Sequence, residues 1–404
     1  MKAVVFHDVG DIRLEDVPEP VIKESTDAIV EITASAICGT DLHFVRGTVT
    51  GMKPGTILGH EAVGIVCDVG KDVHNLRRGD RVVVAPTIAC GNCSYCREGY
   101  FAQCDYANPH GRRAGTALFG GPKCCGGFDG LQAEMARIPH ANIGLVKLPD
   151  HITNEQAILL SDVFPSGYFA AELAEIVPGD VVAVFGCGPV GQFAILSAFL
   201  LGAGRVLAID NVPDRLEIAQ SQGAEAINFD LVNPVHALLE LTRGIGPDRV
   251  IDAVGVDARS PNDESDVSLL EDELSRMERM RSQVCADVPM VEQPWSPGNA
   301  PMQALLWAVE SIAKSGTLSI IGVYPPRFES FPLGKAFERN LTINMGVCHH
   351  RRYIPKLVQL VAAGEVDPTL VMTRQEQLIS ATEAYESFDR RESGWLQVEL
   401  VPSG

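Results

Sequence analysis

The first part of the chain carries short runs of β-branched residues, which are typical of β-strands. Three such runs, at 28–37, 61–69 and 80–85, are separated by Gly, Pro and Asp turns. No long helical period appears before residue 150. The pattern therefore predicts a β-rich first domain.

The pattern changes near residue 165, where continuous apolar runs begin to alternate with segments of helical spacing. An apolar run at 181–185 leads into glycines, and the helical segment that follows ends at Gly204. Further buried strands are predicted at 205–210, 225–229, 246–255 and 316–324. Strands that alternate with helices predict a parallel sheet covered by helices on both faces.

After Phe331 the pattern is mixed again, with a helix predicted over 353–364 and a final strand over 395–401. We interpret this as a return of the chain to the first domain. The expected fold class is α/β. A β-rich domain would contain 1–163 and 330–404, and a doubly wound parallel-sheet domain would contain 164–329. A length of 404 residues suits two or three domains.

The composition narrows the class of protein. The net charge of −19 argues against nucleic-acid binding, which requires a basic face. No run approaches the roughly 18 apolar residues of a membrane span, and the first residues lack the shape of a secretory signal. Eleven cysteines are an odd number, and six of them lie outside the two clusters described next. We therefore expect a reducing cytoplasm rather than a secreted disulfide framework.

Four cysteines lie in a Gly-rich, polar loop between two strand-like stretches. Cys90, Cys93, Cys96 and Cys104 follow the spacing C-x2-C-x2-C-x7-C. Four thiolates brought together by one loop can hold a closed, structural zinc ion. The alternative is a redox or disulfide cluster, which a cytoplasmic location disfavours.

A glycine-rich loop of the form G-x-G-x-x-G follows the predicted strand 181–185 and opens a predicted helix, which indicates a dinucleotide site. It consists of Gly186, Cys187, Gly188, Pro189, Val190 and Gly191. Asp210 ends the next strand, where a carboxylate accepts hydrogen bonds from a ribose diol and repels a 2′-phosphate. This favours NAD over NADP, although Arg215 leaves some tolerance for NADP. The alternative is a glycine turn without a ligand.

A second set of metal-ligating residue types is spread along the β-rich region and beyond it. The set consists of Cys38, His60, Glu61 and Asp162. Thiolate and imidazole are normal zinc ligands. Taken singly, however, a cysteine is usually a small buried hydrophobe, and a histidine is more often a core or surface residue.

Several of these residues occur in motifs that together resemble a known family. ICGTDLH at 37–43, GHEAVG at 59–64, GDRV at 79–82, the cysteine loop and GCGPVG followed by AID are similar to the zinc-dependent medium-chain alcohol dehydrogenases. The resemblance extends over nearly the whole chain. LSDVFPSGYFAAELA at 160–174 resembles a bacterial branch of formaldehyde and general alcohol dehydrogenases. The family implies a GroES-like, β-rich catalytic domain and a Rossmann coenzyme domain.

The resemblance also implies roles for individual residues. Cys38, His60 and Asp162 would bind a catalytic zinc ion, giving two zinc ions per chain, and Glu61 would lie behind these ligands or alternate with one of them. Liver-type members have cysteine at the position of Asp162. Three protein ligands leave one zinc position open for a small alcohol or aldehyde.

Hydride would pass between that substrate and NAD. The Thr40 hydroxyl would receive the proton, and His43 would relay it toward solvent. The alternative for Thr40 is a turn hydroxyl that caps local backbone.

Several functions stay open at this point. The preferred one is an NAD-dependent alcohol or formaldehyde dehydrogenase. The alternatives are a polyol dehydrogenase, a formaldehyde dismutase that retains NAD, and a non-catalytic NAD-binding redox sensor. We also expect a homodimer or homotetramer, with TLSIIGVY at 317–324 as a sheet edge that pairs between copies.

An acidic stretch from about Asp257 to Asn299 interrupts the alternation of strands and helices. An apolar stripe of helical spacing within it consists of Val267, Leu270, Leu274, Met277 and Val284. Because the stretch leaves the carboxyl end of a strand, one hypothesis is that it covers the adenosine end of NAD and slows cofactor release. The other hypothesis is a solvated surface insertion.

Overall fold

The computed structural model describes residues 1–261, 295, 297–325, 328 and 330–402. They form two compact units, of which the first contains 1–165, Trp295 and 347–402. The second contains the remaining described residues between 166 and 346. The apolar stripe from Val267 to Val284, and with it the hypothesis of a cover over NAD, lies outside the described residues.

The described strands and helices are numbered in chain order. The strands are β1 Lys2–Asp8, β2 Asp11–Asp16, β3 Ala28–Ile37, β4 Thr56–Ile57, β5 Ala62–Val69, β6 Arg81–Val84, β7 Met135–Ile138, β8 Leu145–Lys147, β9 Val181–Phe185, β10 Arg205–Asp210, β11 Glu225–Asn228, β12 Arg249–Asp252, β13 Thr317–Ile320, β14 Thr342–Met345, β15 Arg374–Gln377 and β16 Val398–Val401. The helices are α1 Gly39–Val45, α2 Ser94–Arg97, α3 Ala141–Gly144, α4 Asn154–Leu159, α5 Val163–Leu173, α6 Pro189–Leu200, α7 Pro213–Ser221, α8 Pro234–Leu241, α9 Gln303–Ser311, α10 Leu333–Glu338, α11 His350–Ala362 and α12 Ala381–Asp389.

The first unit is built on a largely antiparallel sheet with the strand order β15-β16-β3-β5-β6-β8, to which β7 adds by pairing with β3. Its core contains β-branched side chains such as Val30, Ile32, Val66 and Val82, which pack well on a pleated surface. The last strand, β16, pairs antiparallel with β3. The chain therefore does return to its first domain, as the mixed pattern after Phe331 predicts.

The second unit is a parallel sheet with the order β11-β10-β9-β12-β13-β14. Its strands are connected by helices, and the predicted α/β, doubly wound architecture is confirmed. The strand order reverses between β9 and β12, and such switch points are where open parallel sheets bind ligands. The loop that follows β9 is the glycine-rich loop.

The structure differs from the sequence-based expectations in the edge strand of this sheet and in the residue at which the second unit ends. The stretch 317–324 was expected to form a sheet edge, but β13 pairs with β12 on one side and β14 on the other. The edge strand on this side of the described sheet is β14, which is too short and too polar for the hydrophobic pattern to indicate. Because β14 extends the parallel sheet, the second unit continues to Gly346 rather than ending near 329. Among the described helices, none has the length and apolar character needed to cross a membrane.

Candidate functional site

Helix α1 begins where β3 ends, and Cys38 is its N-cap residue. The Asp41 carboxylate, at the third position of the helix, accepts a hydrogen bond of 3.0 Å from the Cys38 N–H. The junction between strand and helix thereby holds the Cys38 backbone in place. Thr40 and His43 follow on the same helix, with Thr40 partly exposed and His43 buried.

The structure brings the second set of metal-ligating residue types into one cluster. Ligand atoms of Cys38, His60, Glu61 and Asp162 all lie within 4.8 Å of one another, and all four residues are buried. The Asp162 Oδ2 atom lies 3.5 Å from Cys38 Sγ and 3.4 Å from His60 Nε2. Residues from the end of β3, the start of β5 and the turn before α5 therefore meet at one point.

Glu61 shows that this cluster suits a cation. Neither oxygen of its buried carboxylate has a hydrogen-bond partner in the described part of the chain. Burial, reinforced by the nearby Asp162 charge, raises the pKa of Glu61 to about 8. An unpartnered carboxylate is costly to bury, and a metal ion would offset that cost. The donor set of thiol, imidazole and carboxylate is one that zinc prefers.

Without a metal, the other ligand groups differ in protonation. Burial raises the pKa of the Cys38 thiol well above its usual range, although the nearby His60 opposes this shift. Burial also opposes ionisation of Asp162, but hydrogen bonds from His350 and His60 hold its pKa well below the usual range. Because zinc requires a thiolate, binding at this cluster would release the Cys38 proton.

A chain of buried side chains orients His60. Its Nδ1 atom lies 2.9 Å from Asp41 Oδ1, which turns Nε2 toward Cys38 and Asp162. The Gln132 amide donates to the other Asp41 oxygen over 3.4 Å, and the Tyr385 hydroxyl donates to Gln132 Oε1 over 2.8 Å. Such partners fix the tautomer of a metal-ligating histidine. Sequence reasoning missed these three residues, and the position of Asp41 within ICGTDLH was the only available signal.

Asp162 has its own partner, which sequence reasoning also missed. The His350 Nε2 atom lies 2.5 Å from Asp162 Oδ1, and Thr87 Oγ1 lies 3.4 Å from His350 Nδ1. His350 is the first residue of α11 and is separated from Asp162 by 188 positions. The adjacent pair His349-His350 was visible in the sequence, but nothing in the spacing connects it with Asp162.

The segment 90–104, here called the cysteine lobe, carries four cysteines that form a second cluster in the first unit. Their ligand sulfurs lie within 4.8 Å of one another. Backbone N–H groups point at them, since Cys96 N donates to Cys93 Sγ over 3.4 Å and Cys90 N donates to Cys104 Sγ over 3.3 Å. Although burial opposes ionisation of Cys93, such N–H donors lower its pKa to about 7. The sulfurs, their spacing and their donors suit a structural zinc ion.

The glycine-rich loop in the second unit has the form that a phosphate requires. A Cβ atom at Gly186, where φ is +88°, would lie 2.6 Å from Val254 Cγ2, and one at Gly191 would lie 1.8 Å from Gly186 O. These two glycines permit the turn and the close packing of α6. Among the described residues, a Cβ at Gly188 would have Arg215 Nη1, at 3.8 Å, as its one neighbour within 4 Å. The backbone at Gly188 is therefore open to a ligand at the N-terminus of α6, which begins with Pro189 and Val190.

Asp210 is tied to the same loop. One carboxylate oxygen accepts a hydrogen bond of 2.7 Å from Cys187 N. The other accepts from Asn211 N and Val212 N over 2.8 and 3.0 Å. These bonds fix the carboxylate beside the loop at the end of β10. The oxygen that accepts from Cys187 N has one acceptor site left, so the carboxylate can receive a hydrogen bond from a ribose hydroxyl.

Comparisons with known proteins agree with this division of the chain. Residues 24–150 match the model of the alcohol dehydrogenase GroES-like domain, and residues 189–262 match that of the zinc-binding dehydrogenases. An uncharacterized zinc-type alcohol dehydrogenase-like protein of Bacillus subtilis is 36% identical over the full length of both chains. The glutathione-independent formaldehyde dehydrogenase of Pseudomonas aeruginosa is 33% identical and covers 83% of this chain and 84% of its own.

A solved structure is similar over the same extent. The alcohol dehydrogenase of Thermus sp. ATN1 superposes with a TM-score of 0.80 and 33% sequence identity, and the match covers 100% of both chains.

Proposed function

Because the chain belongs to the zinc-dependent medium-chain alcohol dehydrogenase family, we propose that it transfers a hydride between a small alcohol or aldehyde and NAD. The observation that carries the proposal is the buried cluster of Cys38, His60, Glu61 and Asp162. The first unit thereby provides a set of zinc ligands, and the second unit provides a loop suited to a dinucleotide.

Cys38, His60 and Asp162 would hold the catalytic zinc ion, with Glu61 beside them. Bound there, zinc would act as a Lewis acid toward the oxygen of the substrate. The chain supplies the positioning, because Asp41 orients the His60 ring and His350 holds the Asp162 carboxylate. The four cysteines of the cysteine lobe would hold a second, structural zinc ion.

Thr40 and His43 would form the path of the proton. Thr40 lies in the first turn of α1, two residues after Cys38, and its Oγ1 atom would accept the proton that the alcohol loses. His43 follows three positions later, so both side chains lie on neighbouring positions of one helix face. His43 would then receive the proton from Thr40 and pass it toward solvent.

Gly186, Gly188 and Gly191 would hold the pyrophosphate of NAD, which supplies the hydride acceptor. Asp210 would accept hydrogen bonds from the adenosine ribose diol and repel a 2′-phosphate. Arg215, whose Nη1 atom lies near Gly188, would add a positive charge beside the phosphates.

The preference for NAD is tested with Asp210→Ser. A hydrogen bond to a charged group contributes about 1.5–3 kcal/mol, so the ratio of kcat/KM for NAD to that for NADP should fall by roughly 10–100-fold. Asp230→Ser is the matched control, because this carboxylate contacts the neighbouring Asn211 instead of the loop. A wild-type enzyme that already prefers NADP would contradict the assignment.

A formaldehyde-type aldehyde or a small primary alcohol is the proposed substrate class. It is supported by the likeness to a glutathione-independent formaldehyde dehydrogenase. A panel of formaldehyde with and without glutathione, primary alcohols and polyols, each with NAD and NADP, tests it. Turnover of polyols alone would favour the polyol dehydrogenase. Production of alcohol and acid from aldehyde without added NAD would favour the dismutase, and binding of NAD without turnover would favour the sensor.

The edge strand β14 supports a homo-oligomer, either a dimer or a tetramer. Large apolar side chains are exposed on β14 and on the preceding helix α10, with relative exposures of 81% for Phe337, 68% for Leu333 and 62% for Met345. In the described sheet β14 pairs with β13 on one side only, and a strand edge beside exposed apolar residues is a ready pairing surface. Light scattering should give a mass above that of one chain, and Phe337→Lys should shift it toward the monomer. The exposed Ile245→Lys serves as the control.

A further inference from the structure

Two adjacent histidines at the start of α11 contact different parts of the first unit. His350 contacts the cluster of Cys38, His60, Glu61 and Asp162, here called the catalytic cluster, because its Nε2 atom lies 2.5 Å from Asp162 Oδ1. His349 contacts the cysteine lobe. Its Nδ1 atom accepts a hydrogen bond of 3.3 Å from Ala102 N, and its ring meets that of Tyr100 edge-on at 5.4 Å. Both histidines are buried.

His349 contacts the loop that carries the four cysteines. Tyr100 and Ala102 lie between Cys96 and Cys104, and Ala102 is the middle residue of a short 3-10 helix over Phe101–Gln103. Burial, followed by the charges of Arg352 and His350, lowers the pKa of His349 to about 4. The ring is therefore neutral at ordinary pH, and its Nδ1 atom stays available as an acceptor for the backbone of the cysteine lobe.

His350 contacts Asp162 through the carboxylate oxygen that does not face Cys38 and His60. The Asp162 Oδ1 atom faces His350, whereas Oδ2 faces Cys38 and His60. A carboxylate held by one oxygen in this way presents the other in a defined direction. A continuous chain of contacts thus runs from the cysteine lobe through His349, the peptide bond and His350 to Asp162.

We propose that the cysteine lobe sets the position of the Asp162 carboxylate through His349 and His350, which makes both histidines positioning residues of the catalytic metal site. The lobe then contributes to more than the stability of its own loop. A lobe without metal would loosen the start of α11 and with it the direction of the Asp162 ligand oxygen. The inference rests on the zinc site of the proposed function but on no step of the reaction.

The first test measures zinc affinity at the catalytic site by competition with a chromophoric chelator, without alcohol or nicotinamide cofactor. The signal of this site is the one that Cys38→Ala abolishes. Partners of metal ligands typically contribute 10–100-fold to metal affinity, so His350→Gln should weaken zinc binding by roughly that factor. His349→Phe keeps a ring but removes one acceptor, and the loss of one hydrogen bond predicts an effect of roughly fivefold. His151→Gln is the matched control, because His151 contacts Ala362 at the other end of α11.

The second test asks whether the cysteine lobe acts through His350. The visible absorption of cobalt(II) at the catalytic site should change when Cys104→Ser removes a lobe ligand. In the His350→Gln background, Cys104→Ser should add no further change. Wild-type affinity and absorption in His350→Gln would overturn the proposal, and so would independent, additive effects of the two substitutions. If Cys104→Ser does not fold, His349→Phe combined with His350→Gln decides the same question with an intact lobe. Because no turnover is measured, a protein that binds zinc but lacks dehydrogenase activity would refute the proposed function and leave this inference intact.

Discussion

The two candidate metal centres of the first unit differ in how they are built. All donors of the cysteine lobe lie between Cys90 and Cys104, and their sulfurs accept hydrogen bonds from the backbone of the same loop. The donors of the catalytic cluster extend from Cys38 to Asp162, and the side chains that orient them come from as far as Tyr385. The lobe is a local structure, whereas the catalytic cluster depends on the tertiary fold.

The difference has a chemical consequence. Four cysteines in one loop satisfy a tetrahedral zinc ion and leave no position for a substrate. The catalytic cluster instead contains a mixed set of ligands and the buried, unpartnered carboxylate of Glu61. A site assembled from distant elements can leave a position open, because the surrounding fold rather than the ligands alone holds it together.

The largest expected effect is a loss of activity when a ligand of the catalytic cluster is removed. Asp162→Ala removes a charged ligand from the catalytic cluster, and the loss of Lewis-acid stabilisation of several kcal/mol should lower kcat/KM by roughly 10³-fold or more. The zinc content should fall from two ions to one per chain, with the fold kept, as circular dichroism can check. Asp367→Ala is the control, because this exposed residue caps the short 3-10 helix Pro368–Val371 and lies outside both metal clusters. Unchanged zinc content in Asp162→Ala would contradict the ligand assignment.

The second effect concerns stability. Cys93→Ser removes a ligand from a centre whose metal contributes folding energy, so a loss of a few kcal/mol should lower the Tm by roughly 10 °C. Cys67→Ser is the matched control, since Cys67 lies outside both clusters. If thermal unfolding of the two variants were the same, the cysteine lobe would not hold a structural metal.

A third, smaller effect should appear only at the catalytic cluster. Tyr385→Phe and Gln132→Met interrupt the chain that holds Asp41 against His60, and each should weaken zinc binding there by about tenfold. The double variant should lose no more than Gln132→Met alone, because the hydroxyl acts through the amide. Tyr324→Phe, which removes a buried hydrogen bond to Asp252 in the second unit, should leave the affinity unchanged. Equal weakening at the cysteine lobe would show general destabilisation instead.

The smallest effect is a pH dependence of the metal-free protein. The pKa of Glu61 in the folded state is about 8, above its ordinary value of 4.5. The folded state therefore holds a proton that the unfolded state releases, and the contribution of Glu61 to stability is present at low pH and lost as pH rises toward 8. His60, whose pKa is also raised, contributes with the same sign. The free energy of unfolding, measured by urea denaturation at several pH values, should therefore fall less steeply with rising pH for Glu61→Gln than for the wild type. An identical slope would place Glu61 in a solvated environment.

The sequence anticipated those features whose residues are close together in the chain. The spacing of the four cysteines predicted their cluster. The strand predicted before Gly186 and the helix predicted after the glycine-rich loop indicated how that loop is placed in the fold. The family resemblance is confirmed. That resemblance pointed to Asp162 as a candidate ligand, whereas the residues next to Asp162 in the sequence do not distinguish it from an ordinary carboxylate. His350, Gln132 and Tyr385 were missed, because their role depends on contacts with residues more than ninety positions away.

The sequence by itself determined the two kinds of sheet, the clustering of the four cysteines and the glycine-rich loop between a strand and a helix. Periodicity and short spacings are local properties, and local backbone geometry converts them directly into structure. Only the tertiary structure decided which strand lies at the edge of the parallel sheet and which residues orient the metal ligands. It also placed His349 against the cysteine lobe and His350 against Asp162. The physical reason is that a hydrogen bond in the core is selected by the packing of whole elements, and no pattern along the chain records which distant side chain that packing will bring near.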